Sequence, residues 1–207
     1  MSTAERRKRE IENRKKMILG ATEKLIMSQE LDSITMNAVA EKAQLAKGTV
    51  YLYFKDKDQL LAALSVKGLN ILLKKFERAA VEGTSTKDKL VGMLRQNYKY
   101  FQKYPAYYKL NAEFESKYSA SALKELEPIS VKIYALFNSV IDEGFSKGEI
   151  NAKLDGKYLA NIMWGTTVGV MQFLRIHSLQ FNRSTGLKKE EMFENFLESL
   201  INGMTSN

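Results

Sequence analysis

Lys47, Gly48 and Thr49 head a short run, KGTVYLYF, that offers a cation, a bare stretch of backbone and a small hydroxyl in consecutive positions. Such a trio opening a helix suits entry into the major groove of DNA, because the backbone can approach bases whose edges donate and accept hydrogen bonds. Val50 and Phe54, one turn apart, face a core with Leu45, which leaves Lys47, Gly48, Thr49, Tyr51 and Tyr53 outside. Chemistry of other kinds finds little support. With one histidine, His177, no cysteine, no phosphate-binding glycine motif and no HExxH helix, the chain offers no recognisable acid, base or nucleophile constellation, so it is not expected to be an enzyme. The same inventory excludes thiolate metal sites and paired-histidine zinc sites, and no cofactor is expected.

The elements that must position this run are legible around it. Met36, Val39, Ala40 and Ala43 recur at i, i+3, i+4 and i+7, the stripe of a short helix with Thr35 as its N-cap. Gln44, Leu45 and Ala46 separate it from the helix opened by Lys47, which is the spacing of a helix-turn-helix. A preceding helix from about residue 10 to Gln29, with Ile11, Ile18, Ala21, Leu25 and Ile26 as its periodic residues, completes a three-helix core, and Leu31 and Ile34 plug it. Lys57, behind Asp56 as N-cap, opens a long helix carrying Leu60, Leu61, Leu64, Leu69, Leu72, Leu73 and Phe76 to about Val81. A helix of some 25 residues reaches roughly 37 Å, long enough to belong both to the head and to the helices downstream of it.

The run from Lys47 to Lys57, KGTVYLYFKDK, with Thr35 before it, resembles the DNA-binding head of the TetR family of bacterial one-component regulators. The likeness is specific over about the first 62 residues; beyond them the layout of helices agrees. It implies that Lys47, Gly48, Thr49 and Tyr51 lie against base edges, while Thr35, Tyr53 and Lys57 hold phosphates. Two positions depart from the family pattern: Gln44 stands where glycine is usual in the turn, and Ala46 where a hydroxyl residue usually caps the recognition helix. A left-handed glutamine costs roughly 1 kcal/mol and a missing cap about as much. The shape of the turn, and with it the tilt of the recognition helix, is thereby left open.

The 207 residues carry a net charge of +8, half of it within the first 57. Arg6, Arg7, Lys8, Arg9, Arg14, Lys15 and Lys16 form a basic run interrupted by Glu10 and Glu12. An arm touching phosphates or the minor groove accounts for it, and so does a solvated helix start. The absence of cysteine fits a reducing compartment, and a charged N-terminus without an apolar core does not read as a signal peptide, so the expected location is cytoplasmic. The longest uncharged run, Tyr158 to Leu174, is slightly short for a bilayer and contains Asn161, Thr166, Thr167 and Gln172, the mark of a buried helix rather than a membrane span.

Downstream, EGTSTK breaks the pattern before a helix ending near Tyr104, Pro105 suits the first turn of the next, and YSASA closes that one. Pro128 should begin or kink the following helix, and a final amphipathic helix spans Leu187 to about Met204. The expected class is therefore all-α: a helix-turn-helix head with a basic arm over residues 1–62 and a helical ligand-binding and dimerisation domain over 63–207.

Aromatic residues crowd the middle segment. Tyr98, Phe101, Tyr104, Tyr108, Phe114, Tyr118, Tyr134 and Phe137, with Met163, Trp164, Met171 and His177 on the uncharged helix, are the candidates to line a cavity for a mainly apolar or aromatic small molecule. Each taken singly reads as ordinary core. Met192, Phe193, Phe196, Leu197, Leu200, Ile201 and Met204 form a stripe too apolar for water, and Gly165 and Gly169 give the preceding helix a small-residue face, so the two suit a homodimer interface. The function expected is that of a ligand-responsive regulator binding a palindromic operator in double-stranded DNA as a homodimer. The family resemblance favours a repressor released by its effector. A DNA-binding or architectural protein without an effector is the alternative, and a helical interaction module a third.

Overall fold

The computed structural model describes residues 2–117, 119–151, 155–186 and 188–204, with side chains described outside 112–117 and 178–185. Among them the elements are helical: α1 (Thr3–Ser28), a 3-10 turn (Leu31–Ser33), α2 (Met36–Lys42), α3 (Lys47–Tyr53), α4 (Lys57–Glu82), α5 (Thr86–Lys103), α6 (Pro105–Lys117), α7 (Ala120–Ser146), α8 (Gly156–Thr185) and α9 (Lys189–Asn202). No helix among the described residues is long and apolar enough to cross a membrane. Backbone contacts divide the chain into two compact units, one running up to Ile71 and resuming over Tyr104–Ser130, the other formed by Leu72–Lys103 and the chain from Val131. The residues of α4 and α7 are thus shared between them.

In the first unit α1 starts earlier than its apolar period suggested. Ser2 accepts from the Glu5 backbone amide while the Glu5 carboxylate accepts from the amide of Ser2, a capping box that starts the helix ahead of its first buried residue. The basic run therefore lies on exposed helical turns rather than on an extended arm, and Ile11, expected in the core, is 41% exposed. The core itself is where the periodicity put it, with Ile18, Leu25, Ile26, Leu31, Ile34, Met36, Val39, Val50 and Phe54 buried. Helix α6 seats on α1 through polar contacts: the Tyr107 hydroxyl donates to Glu23 at 2.7 Å and Lys109 pairs with Glu30 at 2.9 Å. Lys67 of α4 reaches the same Glu23 at 3.1 Å and lies over the Tyr107 ring. Burial beside this carboxylate raises the Tyr107 hydroxyl pKa far above its ordinary value.

The second unit packs α5 against α8 and α9. Phe193, Leu197 and Ile201 of α9 are buried in it, and Tyr98 of α5 stacks on Phe193 with centroids 4.1 Å apart. Arg95 grips Glu194 through two bonds of 2.8 and 2.6 Å, and Gln102 and Lys87 reach Glu190 and Asn202 further along the same helix pair. Helix α7 continues through Pro128 instead of beginning there, and it starts at Ala120, inside the stretch expected to close α6. Pro128 and Lys124, whose carbonyl loses its i+4 partner, are both exposed, which lowers the cost of a proline inside the helix.

Glu143 joins the last turns of α7 to α5. Its carboxylate accepts from Lys147 at 2.6 Å and from Lys89 at 2.7 and 2.9 Å, and these bonds hold its pKa down at about 2. A carboxylate depressed in the fold contributes stability that is complete above the ordinary carboxylate range and fades as pH falls toward the folded value. Urea unfolding between about pH 5 and about pH 2 should therefore show a shallower acid loss for Glu143→Gln than for the parent chain.

Candidate functional site

Helix α3 has seven residues, too few to hold itself together in water, so its geometry is imposed by its surroundings. Val50 is fully buried and Phe54, the C-cap, nearly so; these two side chains tie the helix to the core. Its start is set by the turn from α2. Leu45 donates its amide to the carbonyl of Ala40 at 2.9 Å and Gln44 donates to Glu41 at 3.0 Å, the paired bonds of a Schellman motif with Gln44 at the left-handed position, φ 56°. The glutamine accordingly adopts the conformation glycine would take, and the turn keeps its shape at the cost of strain. Ala46 caps α3 with no side-chain hydrogen bond.

The candidate DNA-contacting residues fall on and beside this helix. Lys47, Gly48 and Tyr51 are exposed, Thr49 and Tyr53 half-buried, and the Lys47 ammonium sits 5.8 Å from the centre of the Tyr51 ring, which pre-orients both. A Cβ built on Gly48 would meet nothing within 4 Å, and its φ is not in the left-handed region. Neither packing nor backbone conformation asks for glycine at position 48; its effect is to leave the helix surface bare toward the outside. Thr35 caps α2 by accepting from the Ala38 amide at 3.2 Å. Lys57 projects its ammonium onto the carbonyls of Leu31 and Asp32, at 2.6 and 3.1 Å, which fixes it beside the turn that leads to Thr35. Asp56 caps α4 through the amide of Gln59, as its position implied.

Leu52 was missing from the outward set and belongs in it, for it is 84% exposed. The signal was present: at about 100° per residue it lies roughly 160° round the helix from buried Val50. Its apolar side chain pointed to the core instead.

The candidate cavity residues separate into several places. In the second unit Trp164 has Phe76, Tyr134 and Phe137 around it at 6.2, 6.4 and 6.5 Å, with Met163 and Met171 of the same helix fully buried, although Tyr134 is 45% exposed. Tyr98 and Phe101 lie together on α5, 6.1 Å apart, and Phe173 pairs with His177 at 4.8 Å. Tyr104 and Tyr108 belong to the first unit. Phe114 and Tyr118 lie outside the residues whose side chains are described. One residue is added: Asn97, 2% exposed, whose amide nitrogen has no hydrogen-bond partner among the described residues. The buried Tyr98 hydroxyl next to it also makes none of good geometry, and burial raises its pKa to about 12.

A helix-turn-helix with a bare, cationic outer face, carried by an otherwise helical chain, defines a DNA-binding transcriptional regulator. Residues 18–64 match the model of the bacterial regulatory proteins of the tetR family. The chain is 24% identical over 152 residues to the fatty acid metabolism regulator protein of Bacillus subtilis, covering 72% of this chain and 77% of that one. It is 28% identical over 131 residues to the transcriptional repressor KstR of Mycobacterium tuberculosis, covering 63% and 60%. The fold superposes on FadR from Bacillus subtilis, solved in complex with stearoyl-CoA, with a TM-score of 0.77 at 19% identity over 90% of this chain and 97% of that one. The head is that of the tetR family of bacterial regulatory proteins, and beyond it the chain is similar to transcriptional regulators in sequence and fold.

The strain at Gln44 and the bare cap at Ala46 make the turn improvable. Gln44→Gly and Ala46→Ser should each raise the free energy of unfolding by about 0.5–1 kcal/mol, read as a shift of the urea midpoint at unchanged slope.

Proposed function

We propose that this chain is a ligand-responsive repressor that binds a palindromic operator as a homodimer through α3 and leaves it when a mainly apolar or aromatic small molecule fills the helical region beyond the head. The observation that carries the DNA-binding half is the open space at Gly48, a glycine that the fold itself does not require. Lys47, Gly48, Thr49 and Tyr51 meet base edges, and Thr35, Tyr53 and Lys57 the phosphates. Lys57 has its ammonium anchored on two carbonyls, so its charge is held at a fixed place beside the turn. The head is taken as residues 1–62 and the effector and dimer region as 63–207.

The dimer reading rests on α8. Tyr158, Ile162, Phe173 and Ile176 are exposed on it, and Gly165 and Gly169, in the same stripe, have nothing near their Cβ positions. Another helix backbone fits such a face closely. Met192, Phe196 and Leu200 of α9 remain half-buried after Phe193, Leu197 and Ile201 have been used inside the chain. Two short recognition helices related by a twofold axis would read two half-sites a helical turn or more apart.

The effector reading rests on the Trp164 cluster together with the buried Asn97 amide nitrogen, which has no hydrogen-bond partner among the described residues and which a ligand's own polar group would satisfy. The likeness to a regulator solved with stearoyl-CoA supports the lipid-like end of this ligand class. Helix α4, shared between the two units, is the covalent path from ligand to head. Release requires the ligand to favour one dimer geometry over the other, and bound DNA then weakens ligand binding by the same factor.

Gly48→Ala should raise helix stability by up to about 1 kcal/mol while lowering operator affinity, a combination that a purely structural glycine would not give. Lys47→Ala should cost roughly ten- to a hundredfold on the operator and little on unrelated duplexes, whereas Lys57→Ala should weaken all duplexes alike and reduce the salt slope by about one. Fluorescence anisotropy on an operator selected from a random duplex pool separates these outcomes. On the same complex, a long-chain acyl-CoA or an apolar aromatic compound should release the DNA and change the emission of Trp164, the chain's single tryptophan. Specific DNA binding that no such compound disturbs would favour the regulator without an effector.

A further inference from the structure

Leu52 stands 84% exposed in the second turn of α3, well beyond Ile11, Met17 and Met27, the other exposed aliphatic side chains of the head at 41–59%. Exposed leucines scattered singly on a surface need no explanation; this one is placed where the recognition surface is. It points almost directly away from Val50, and Gly48, one turn before it on the same face, supplies no side chain to stand in front of it. Its neighbours on either side are polar at their tips: the Tyr51 ring carries the Lys47 ammonium above it, and Thr49 is half-buried. The face formed by Gly48 and Leu52 is therefore a small apolar prominence beside an open stretch of backbone.

A helix of seven residues is roughly 10 Å long, less than the width of the major groove at about 12 Å, so when the first turn enters the groove the second lies in it too. A leucine there can neither donate nor accept. Pressed against the amino or carbonyl groups of the bases it would strip their water without replacing it. One group on the major-groove edges is apolar, the 5-methyl of thymine.

We propose that Leu52 is a specificity residue that reads thymine by seating its branched end against the 5-methyl group in each half-site. This rests on the reading of α3 as the recognition helix and adds a base preference to it. Leu52 contributes shape and dehydration where Lys47 contributes hydrogen bonds, so the two discriminate at different base pairs.

The test uses the full chain and a duplex it selects from a random pool. Each thymine is replaced in turn by deoxyuridine, which removes only the methyl, and affinity is measured by anisotropy for the parent and for Leu52→Ala. Expected is a thymine at which the parent binds deoxyuridine about fourfold more weakly per methyl removed, the fold-change corresponding to about 0.8 kcal/mol for one buried methyl. Leu52→Ala should bind the two duplexes equally there and keep the parent's sensitivity elsewhere. Its thermal unfolding should match the parent, since the side chain touches no core.

Deoxyuridine effects that are the same in parent and variant at every position would overturn the proposal while leaving α3 as the recognition helix. Loss of affinity in Leu52→Ala that is equal on thymine and deoxyuridine duplexes would overturn it too, assigning the side chain to the sugar and phosphate. Failure of the parent to select any duplex would instead remove the recognition-helix reading, and this proposal with it.

Discussion

The outer face of α3 depends on one mechanical constraint: a seven-residue helix held by the turn before it and by side chains sunk in the core. At its start the chain reverses through the left-handed Gln44, which with Leu45 donates the two amide bonds that close α2. Along its inner side Val50 and Phe54 are sunk in the core. A free helix of this length would be mostly unfolded, and ordering it on binding would cost on the order of 1 kcal/mol per residue. Pinning it beforehand removes that cost from the encounter with DNA, so the outward side chains can be weak individually and still act together.

The constraint is relayed outward by a carboxylate. Glu23 on α1 receives the hydroxyl of Tyr107 from α6 and the ammonium of Lys67 from α4, so three helices of the first unit meet on one side chain. Tyr107 is almost wholly buried and the salt bridge to Lys67 is half-exposed; the hydrogen bond from the tyrosine is the stronger tie of the two. Helix α1 in turn packs on α2. A displacement of α6 or α4 thus meets the head through polar contacts of fixed geometry, which transmit direction better than apolar sliding surfaces do.

How far the structure was legible in the sequence depends on the kind of signal each element carries. The cores of α1, α2 and α4 were readable because buried residues recur at the helical period, and the caps at Thr35 and Asp56 because their side-chain oxygens stand at the right offset. The first turns of α1 were not, since exposed charged residues show no period; the only sign was Ser2 followed by Glu5, a capping box at the very edge of the chain. The sequence left open whether Pro128 begins α7 or lies within it, because the outcome depends on which side of the helix faces water, something a single proline does not reveal. Among the aromatic residues, composition pointed to an interior rich in rings. It carried no information on which rings meet across helices: Trp164 with Phe76 and Phe137, and Tyr98 with Phe193, are pairings made by tertiary packing.

Local rules are broken most densely between Gln44 and Leu52: a glutamine at positive φ, an alanine at an N-cap, a glycine in a helix with nothing near it, and a leucine left in water. Departures of this kind gather where function competes with folding. For two of the four the proposed contact with DNA supplies that explanation, because Gly48 and Leu52 give the outer face of α3 its shape and cost the core nothing. Gln44 and Ala46 have none. Their exposed side chains make no capping bond, the substitutions that would relieve them leave the outer face untouched, and nothing in the structure accounts for them. The stability forgone at those two positions is of the same order as the intrinsic advantage alanine would bring at position 48, so the recognition helix sits in the least locally optimised stretch of the head, held in place by Val50, Phe54 and the bonds of the turn.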